Sequence, residues 1–267
     1  MSLKEDIPFD TGRYIFIREG KPHGLTIVFK PEALMEVGVL QKITEIIARH
    51  GIPILHIYLS RPIEEKHFAI QIIINISDES ILRDVLKEIE KIEFVGKVIV
   101  KKPLFDGLYV DTLFFPLMVG DQRSILLRKA LYEPLFKGVV EAFGTGGAAL
   151  LYHSGVLIGR NLFKNHKEIA ASNDPDKIIQ VSEAFASMVG LAKIKVLKYD
   201  IEKGTAIVIM RDSFECALYK NENSPRSNFM KGLLAGWFSE LFKREVRAQE
   251  LSCIAMGDEY CEIHVHP

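Results

Sequence analysis

The chain has 267 residues, enough for one large domain or two ordinary ones, and 48% of them are hydrophobic, which supplies ample core material. Its 34 Lys and Arg against 35 Asp and Glu leave a net charge of -1, a balance that argues against a non-specific nucleic-acid binder. Three cysteines make no disulfide framework, no apolar run reaches membrane-spanning length, and MSLKEDIPFD is no signal peptide, so a cytoplasmic setting is expected. Abundant Ile, Lys and Glu beside only 5 Gln lean towards a thermophilic source.

Residues 1–23 read as a lead-in with one strand over Arg13–Arg18. Gly24–Phe29 is a strand by its β-branched and aromatic content, and Gly38–Gly51 carries Val39, Leu40, Ile43, Ile46 and Ile47 at helical spacing. Ile52–Arg61 and His67–Ile76 read as strands, although Ile72-Ile73-Ile74 breaks strict alternation. Asp78 is the expected N-cap of a helix over Glu79–Ile92 with Leu82, Val85, Leu86 and Ile89 as its buried stripe. Gly96–Lys101 closes a βαββαβ order, the ferredoxin-like arrangement.

Within this stretch, EVGVLQKITEIIARHGIPILHIYLSRP resembles the ACT-domain pattern over roughly residues 24–103. Gly38 stands at that family's turn glycine and Gly51-Ile52 where its second strand begins, while Val37 replaces the usual proline. The resemblance implies an effector site near Gly38, typically for an amino acid between two copies; the alternative is a dimerisation module without a ligand. Domain boundaries are expected at 1–103 for the ACT-like unit, 104–119 for a connector and 120–267 for a second unit.

The connector, Pro103–Gly120, has turn residues at Asp106-Gly107 and Pro116 and reads as a strand pair or a docked loop. Arg123–Phe143 reads as a helix with Pro134 as a kink, Gly144–Gly147 as a flexible turn, and Ala148–Lys164 as a second helix. Gly155 and Gly159, four apart, point to close helix packing rather than phosphate binding. Asp174–Val189 is a third helix, Ile194–Asp200 and Thr205–Arg211 a hairpin, Asn228–Phe242 a fourth helix, and Glu245–Leu251 and Glu262–His266 the last strands.

The closing run ELSCIAMGDEYCEIHVHP carries the sharpest chemistry. Glu250, Cys253 and Cys261 follow E-x2-C-x7-C around Gly257-Asp258, and a carboxylate with two thiols on a tight turn suits a small tetrahedral metal site. The alternative is that both cysteines are small buried hydrophobes on adjacent strands. AFGTGGAALLYHSGVLIGRNL, FMKGLLAGWFSELF and this closing motif together resemble the 4-vinyl-reductase domain family over about residues 120–267. Archaeal proteins joining an ACT-like domain to this one are described as hydrocarbon-binding. Relatives include the sensory halves of phenol- and xylene-responsive activators, and the fold is shared with subunits of the TRAPP tethering complex.

The resemblance implies an α+β protein. Its second domain would be of the TRAPP-subunit/NO-signalling ligand-binding type, with helices on an antiparallel sheet, a buried apolar pocket and dimerisation. It further implies zinc on Glu250, Cys253, Cys261 and an upstream cysteine. Counting back from the motif, that upstream position is Ser227, a poor zinc ligand; Cys216, His264, His266 or a water are the substitutes. Pocket candidates are Tyr152, His153, Phe229, Leu233 and Trp237, set against plain core packing. Asp212, Glu215 and Asp258 read as solvated carboxylates near turns or strand ends.

No Ser-His-Asp order, phosphate-binding P-loop or dinucleotide glycine motif is visible. The expectation is therefore a non-catalytic sensor or carrier for an apolar or aromatic molecule, dimeric and signalling through a partner protein. The alternatives are an accessory enzyme subunit in tetrapyrrole or aromatic metabolism and a structural scaffold.

Overall fold

The computed structural model describes residues 7–60 and 68–267, in two compact units that divide between Ile125 and Leu126. In the first, β1 (Tyr14–Phe16) and β2 (Pro22–Phe29) precede α1 (Val39–Arg49), β3 (Ile54–Ser60), β4 (Phe68–Asn75), α2 (Glu79–Glu90) and β5 (Val95–Lys101). The expected strands Ile52–Arg61 and His67–Ile76 end in part on residues 61–67, which lie outside the described residues. The sheet order β3-β4-β2-β5, with every neighbour antiparallel, is that of a ferredoxin-like βαββαβ unit.

Alternation explains one face of that sheet. Leu25, Ile27, Ile70, Ile72 and Ile74 bury against Ile43, Ile46 and Ile47 of α1 and Leu82, Val85 and Ile89 of α2. Asp78 caps α2 by accepting from the backbone of Ser80 at 2.7 Å and Ile81 at 3.4 Å. Ile73, on the other face, is also fully buried, so the triple isoleucine run is that of a strand covered on both sides. The connector takes part in the cover: β6 (Leu108–Val110) pairs with β1, and Tyr109 lies over Gly24 and accepts from Gln71 Nε2 at 3.0 Å. Gln71 in turn accepts from Thr26, so Thr26, Gln71 and Tyr109 form one buried hydrogen-bonded chain on this face. Two short strands, β7 (Met118–Val119) and β8 (Gln122–Arg123), pair as a hairpin.

In the second unit, α3 (Lys129–Glu133) leads through a π-helical turn at Pro134–Gly138 into α4 (Val139–Ala170). The helix expected from Arg123 therefore starts six residues later. Pro134 has no N–H for the helical ladder, and the next turn widens, with Val139 N–H reaching Pro134 O. The expected Gly144–Gly147 turn shrinks to a break at Gly144 alone (φ 54°, ψ -129°) inside α4. Then come α5 (Pro175–Met188), β9 (Lys193–Asp200), β10 (Thr205–Arg211), α6 (Asn228–Phe242), β11 (Arg247–Ser252) and β12 (Cys261–His266). The antiparallel sheet runs β11-β12-β10-β9.

Helix α6 is buried nearly all round, from Phe229 to Phe242, as its sequence FMKGLLAGWFSELF requires. It crosses α4 on glycines. A Cβ on Gly155 would collide with Phe229 O, on Gly159 with Leu233 O, on Gly232 with Tyr152 O, and on Gly236 with Val156 O. The two backbones touch, and no side chain separates them.

Candidate functional site

Three elements bring four donors together at the start of α6. Strand β10 ends at Arg211, and Asp212 (φ 50°) turns the chain into a loop whose short 3-10 turn, Cys216–Leu218, presents the Cys216 thiol. Strand β11 supplies Glu250. Cys253 follows directly, and a tight knuckle through Gly257 (φ 101°) returns the chain to Cys261 at the head of β12. The knuckle is held by Cys253 N–H on Asp258 at 2.7 Å and Ile254 N–H on Cys261 Sγ at 3.5 Å; Asp258 is exposed, as expected, and also braces the turn.

The donor atoms of Cys216, Glu250, Cys253 and Cys261 all lie within 4.8 Å of one another. The sulfurs are 3.6, 3.7 and 3.8 Å apart, too far for a disulfide and close to the edge of about 3.8 Å that a tetrahedron with metal–sulfur bonds of about 2.3 Å requires. All three cysteines are fully buried and Glu250 is 7% exposed. Burial pushes the Glu250 carboxyl up to about 7. Hydrogen bonds with Cys216 and Cys261 hold the Cys253 thiol well below the ordinary thiol range, while the same thiol contacts push Cys216 up. A cation among these groups would remove the cost of burying both the thiolate and the carboxylate. The chemistry of this Cys3Glu cluster fits a metal.

Cys216 brings the third sulfur, where counting from the motif pointed to position 227. Ser227 is nonetheless part of the cluster: its hydroxyl donates to Glu250 Oε1 at 2.5 Å and lies 2.9 Å from Cys216 Sγ. The two histidines drop out, His264 pairing with Glu262 at 2.7 Å and His266 meeting the Pro267 carbonyl. Glu215, expected in solvent, is 1% exposed and accepts from Phe229 and Met230 N–H at 2.9 Å each, capping α6. Burial raises its carboxyl to about 7.

The pocket candidates separate. Phe229, Leu233 and Trp237 belong to the second unit's core. Tyr152 is half-buried, with its carbonyl against Gly232. His153, read from the sequence as lying on an apolar face, is exposed, because the buried side of α4 runs through Leu151, Gly155 and Gly159 instead. In the second unit the histidine that enters the core is His166, 4% exposed, whose Nδ1 accepts from Trp237 Nε1 at 3.2 Å beside the rings of Phe163 and Phe185. Burial lowers its pKa to about 4, so the ring is neutral. Its spacing from Gly155 and Gly159 (eleven and seven residues, three and two helical turns) is the signal that would have found it. Gly38 takes a left-handed φ of 82° ahead of α1, with Gln41 Oε1 at 3.8 Å the nearest atom to an added Cβ. Two open surface depressions of about 420 Å³ lie near the ends of α4 and α6, and neither is lined by Phe229, Leu233 or Trp237.

A family model of the 4-vinyl-reductase domain matches residues 206–267 and one of the ACT domain matches residues 26–99. An uncharacterised protein of Methanocaldococcus jannaschii is 31% identical over 141 residues, spanning 52% of this chain and 76% of its own length. The chain belongs to the 4-vinyl-reductase domain family and carries an ACT domain ahead of that domain. A second uncharacterised protein of the same archaeon is 24% identical over 131 residues, 49% of this chain and 71% of that one. Among solved structures, the phenol-responsive sensory domain of the transcription activator PoxR, crystallised with phenol, has the same fold. It aligns at a TM-score of 0.51 and 22% identity over 56% of this chain and 79% of that one. The pairing of 4-vinyl-reductase and ACT domains supports a ligand-binding, regulatory role. Among the described residues no helix is long and apolar enough to cross a membrane.

Proposed function

We propose that this protein is a non-catalytic sensor or carrier for a small apolar or aromatic molecule bearing one polar group. The observation that carries this reading is the pair His166–Trp237, a neutral, hydrogen-bonded imidazole among aromatic rings at the heart of α4, α5 and α6. Because Nδ1 accepts from Trp237, the ring proton resides on Nε2, a donor suited to a hydroxyl or carboxyl oxygen entering an otherwise apolar core. Phe229, Leu233 and Trp237 would form the apolar wall. The phenol bound by the PoxR sensory domain is an example of such a ligand.

Zinc is the metal this donor set suits, three thiolates and a carboxylate in tetrahedral array. With all four donors buried the site has the closed character of a structural centre, which supports a binding role over catalysis. Zinc would draw the Cys216 loop, the β11–β12 knuckle and the start of α6 into one rigid corner. The ACT domain would take an amino-acid effector at the turn of Gly38, the chain would act as a homodimer, and output would pass to a partner protein.

A thermal-shift screen of the zinc-loaded chain against phenols, fatty acids and amino acids tests this. Ligand at about 100 times its Kd adds about 2.7 kcal/mol, a readily measured shift. Phenolic or fatty-acid stabilisation that disappears in His166→Phe is expected. Absence of any shift at millimolar ligand would sink the proposal.

A further inference from the structure

We infer that Ser227 is the positioning residue of the Cys3Glu metal site, fixing the Glu250 carboxylate and the Cys216 thiol in the geometry a metal needs. The inference rests on the reading of that cluster as a metal site. Ser227 stands at the N-cap of α6, where a serine hydroxyl ordinarily accepts from the N–H groups of the first helical turn. Here it makes no such bond. Glu215 has taken both N–H groups, at Phe229 and Met230. The freed hydroxyl donates to Glu250 Oε1 at 2.5 Å, and the Ser227 backbone N–H donates to Glu250 Oε2 at 3.1 Å.

A carboxylate held at both oxygens from one residue cannot rotate, and its remaining lone pairs are presented in a fixed direction. The same hydroxyl oxygen lies 2.9 Å from Cys216 Sγ. Its single proton is committed to Glu250, so before a metal binds its oxygen accepts from the protonated Cys216 thiol and orients that sulfur, a contact that ends when the metal takes the thiolate, while the hold on Glu250 stays. Ser227 is itself fully buried, so no water competes for these contacts. Substituting a thiol for this hydroxyl would place a fourth sulfur beside the three present and shift the donor set towards softer ions.

The experiment uses the full chain, with cobalt(II) as the optical probe and zinc affinity measured by competition with a chromophoric chelator. Ser227→Ala is expected to lower zinc affinity about 10–100-fold while leaving the intensity of the thiolate-to-cobalt charge-transfer band unchanged, since all three sulfurs remain. Ser227→Thr, which keeps the hydroxyl, restores affinity. Ser227→Cys strengthens the charge-transfer band by about a third, as four thiolates replace three. It also makes binding tolerant of Glu250→Gln, which abolishes it in the parent chain. This pair decides the matter even where Ser227→Ala folds poorly. Wild-type affinity in Ser227→Ala, or an unaltered band in Ser227→Cys that still depends on Glu250, overturns the role of Ser227 and leaves the metal site standing. Failure of the parent chain to take up cobalt or zinc removes both.

Discussion

Gly236→Ala should destabilise the 4-vinyl-reductase domain, although alanine is the better helix former. The intrinsic gain of alanine over glycine in a helix interior is up to about 1 kcal/mol. Against it, the new Cβ would collide with Val156 O and stand 2.8 Å from the Val156 carbonyl carbon and 2.9 Å from its Cα. These are backbone atoms of α4, so no rotamer change relieves the overlap and the two helices must part along a crossing built on four glycines. Overpacking costs about 1–3 kcal/mol, and a backbone collision belongs at the upper end. The expected net loss is about 2 kcal/mol, or a Tm lower by about 6–8 °C at roughly 3–4 °C per kcal/mol for a unit of this size. Gly146→Ala is the internal control: it lies in α4, nothing stands within 4 Å of its added Cβ, and it should gain up to about 1 kcal/mol. Calorimetry of both variants, following the transition of that domain, tests the sign. Equal or higher stability of Gly236→Ala would refute the backbone-to-backbone crossing.

Cys216→Ser should cost zinc affinity as severely as Cys253→Ser or Cys261→Ser, and chelator titration with the four-donor set intact sets the reference; near-parent affinity would place Cys216 outside the site. His166 is held neutral in the fold with its pKa near 4 against an ordinary 6.5. The unfolded chain therefore binds the extra proton first, and stability falls as pH drops from about 6.5 towards 4, by about 3 kcal/mol in all. His166→Gln should flatten that part of the stability–pH curve, and an unchanged slope would show the imidazole to be solvated. In the first unit, beyond the ACT match, Asp111, its side chain fully buried, pairs with Arg13 Nε at 3.0 Å. Because Arg13 keeps 24% exposure, Asp111→Ala should cost about 2 kcal/mol, below the roughly 3–5 kcal/mol of a wholly buried pair, as read by urea unfolding.

Where the chain pattern was periodic, the fold was readable from it. Helix α6 begins and ends at the expected residues because a uniformly apolar run between Ser227 and Lys243 has only one way to be buried, and the ferredoxin-like order follows from alternation, spacing and the Asp78 cap. Reading failed where distant segments decide. Ile73 looked like a lapse in alternation until Tyr109, thirty-six residues on, closed the second face of the sheet. His153, beside Tyr152 on a face that reads as apolar, draws attention in the sequence while His166 does not, because the buried stripe of α4 is set by the glycines that admit α6.

The metal site shows the same division at its sharpest. Glu250, Cys253 and Cys261 are local to one knuckle and their spacing alone locates them. Cys216 lies 34 residues before Glu250 in a loop without periodicity, and only the fold brings its sulfur to 3.6 Å from Cys253. Counting residues along the chain points to 227, at the head of α6, and offers Cys216 as a substitute for that serine; the structure fills the corner with Cys216 from the loop below and turns the serine to hydrogen bonding. A coordination sphere constrains positions in space, so a ligand can arrive from another segment provided the residue it displaces has a second use. That second use is available to Ser227 because Glu215 relieves it of capping α6.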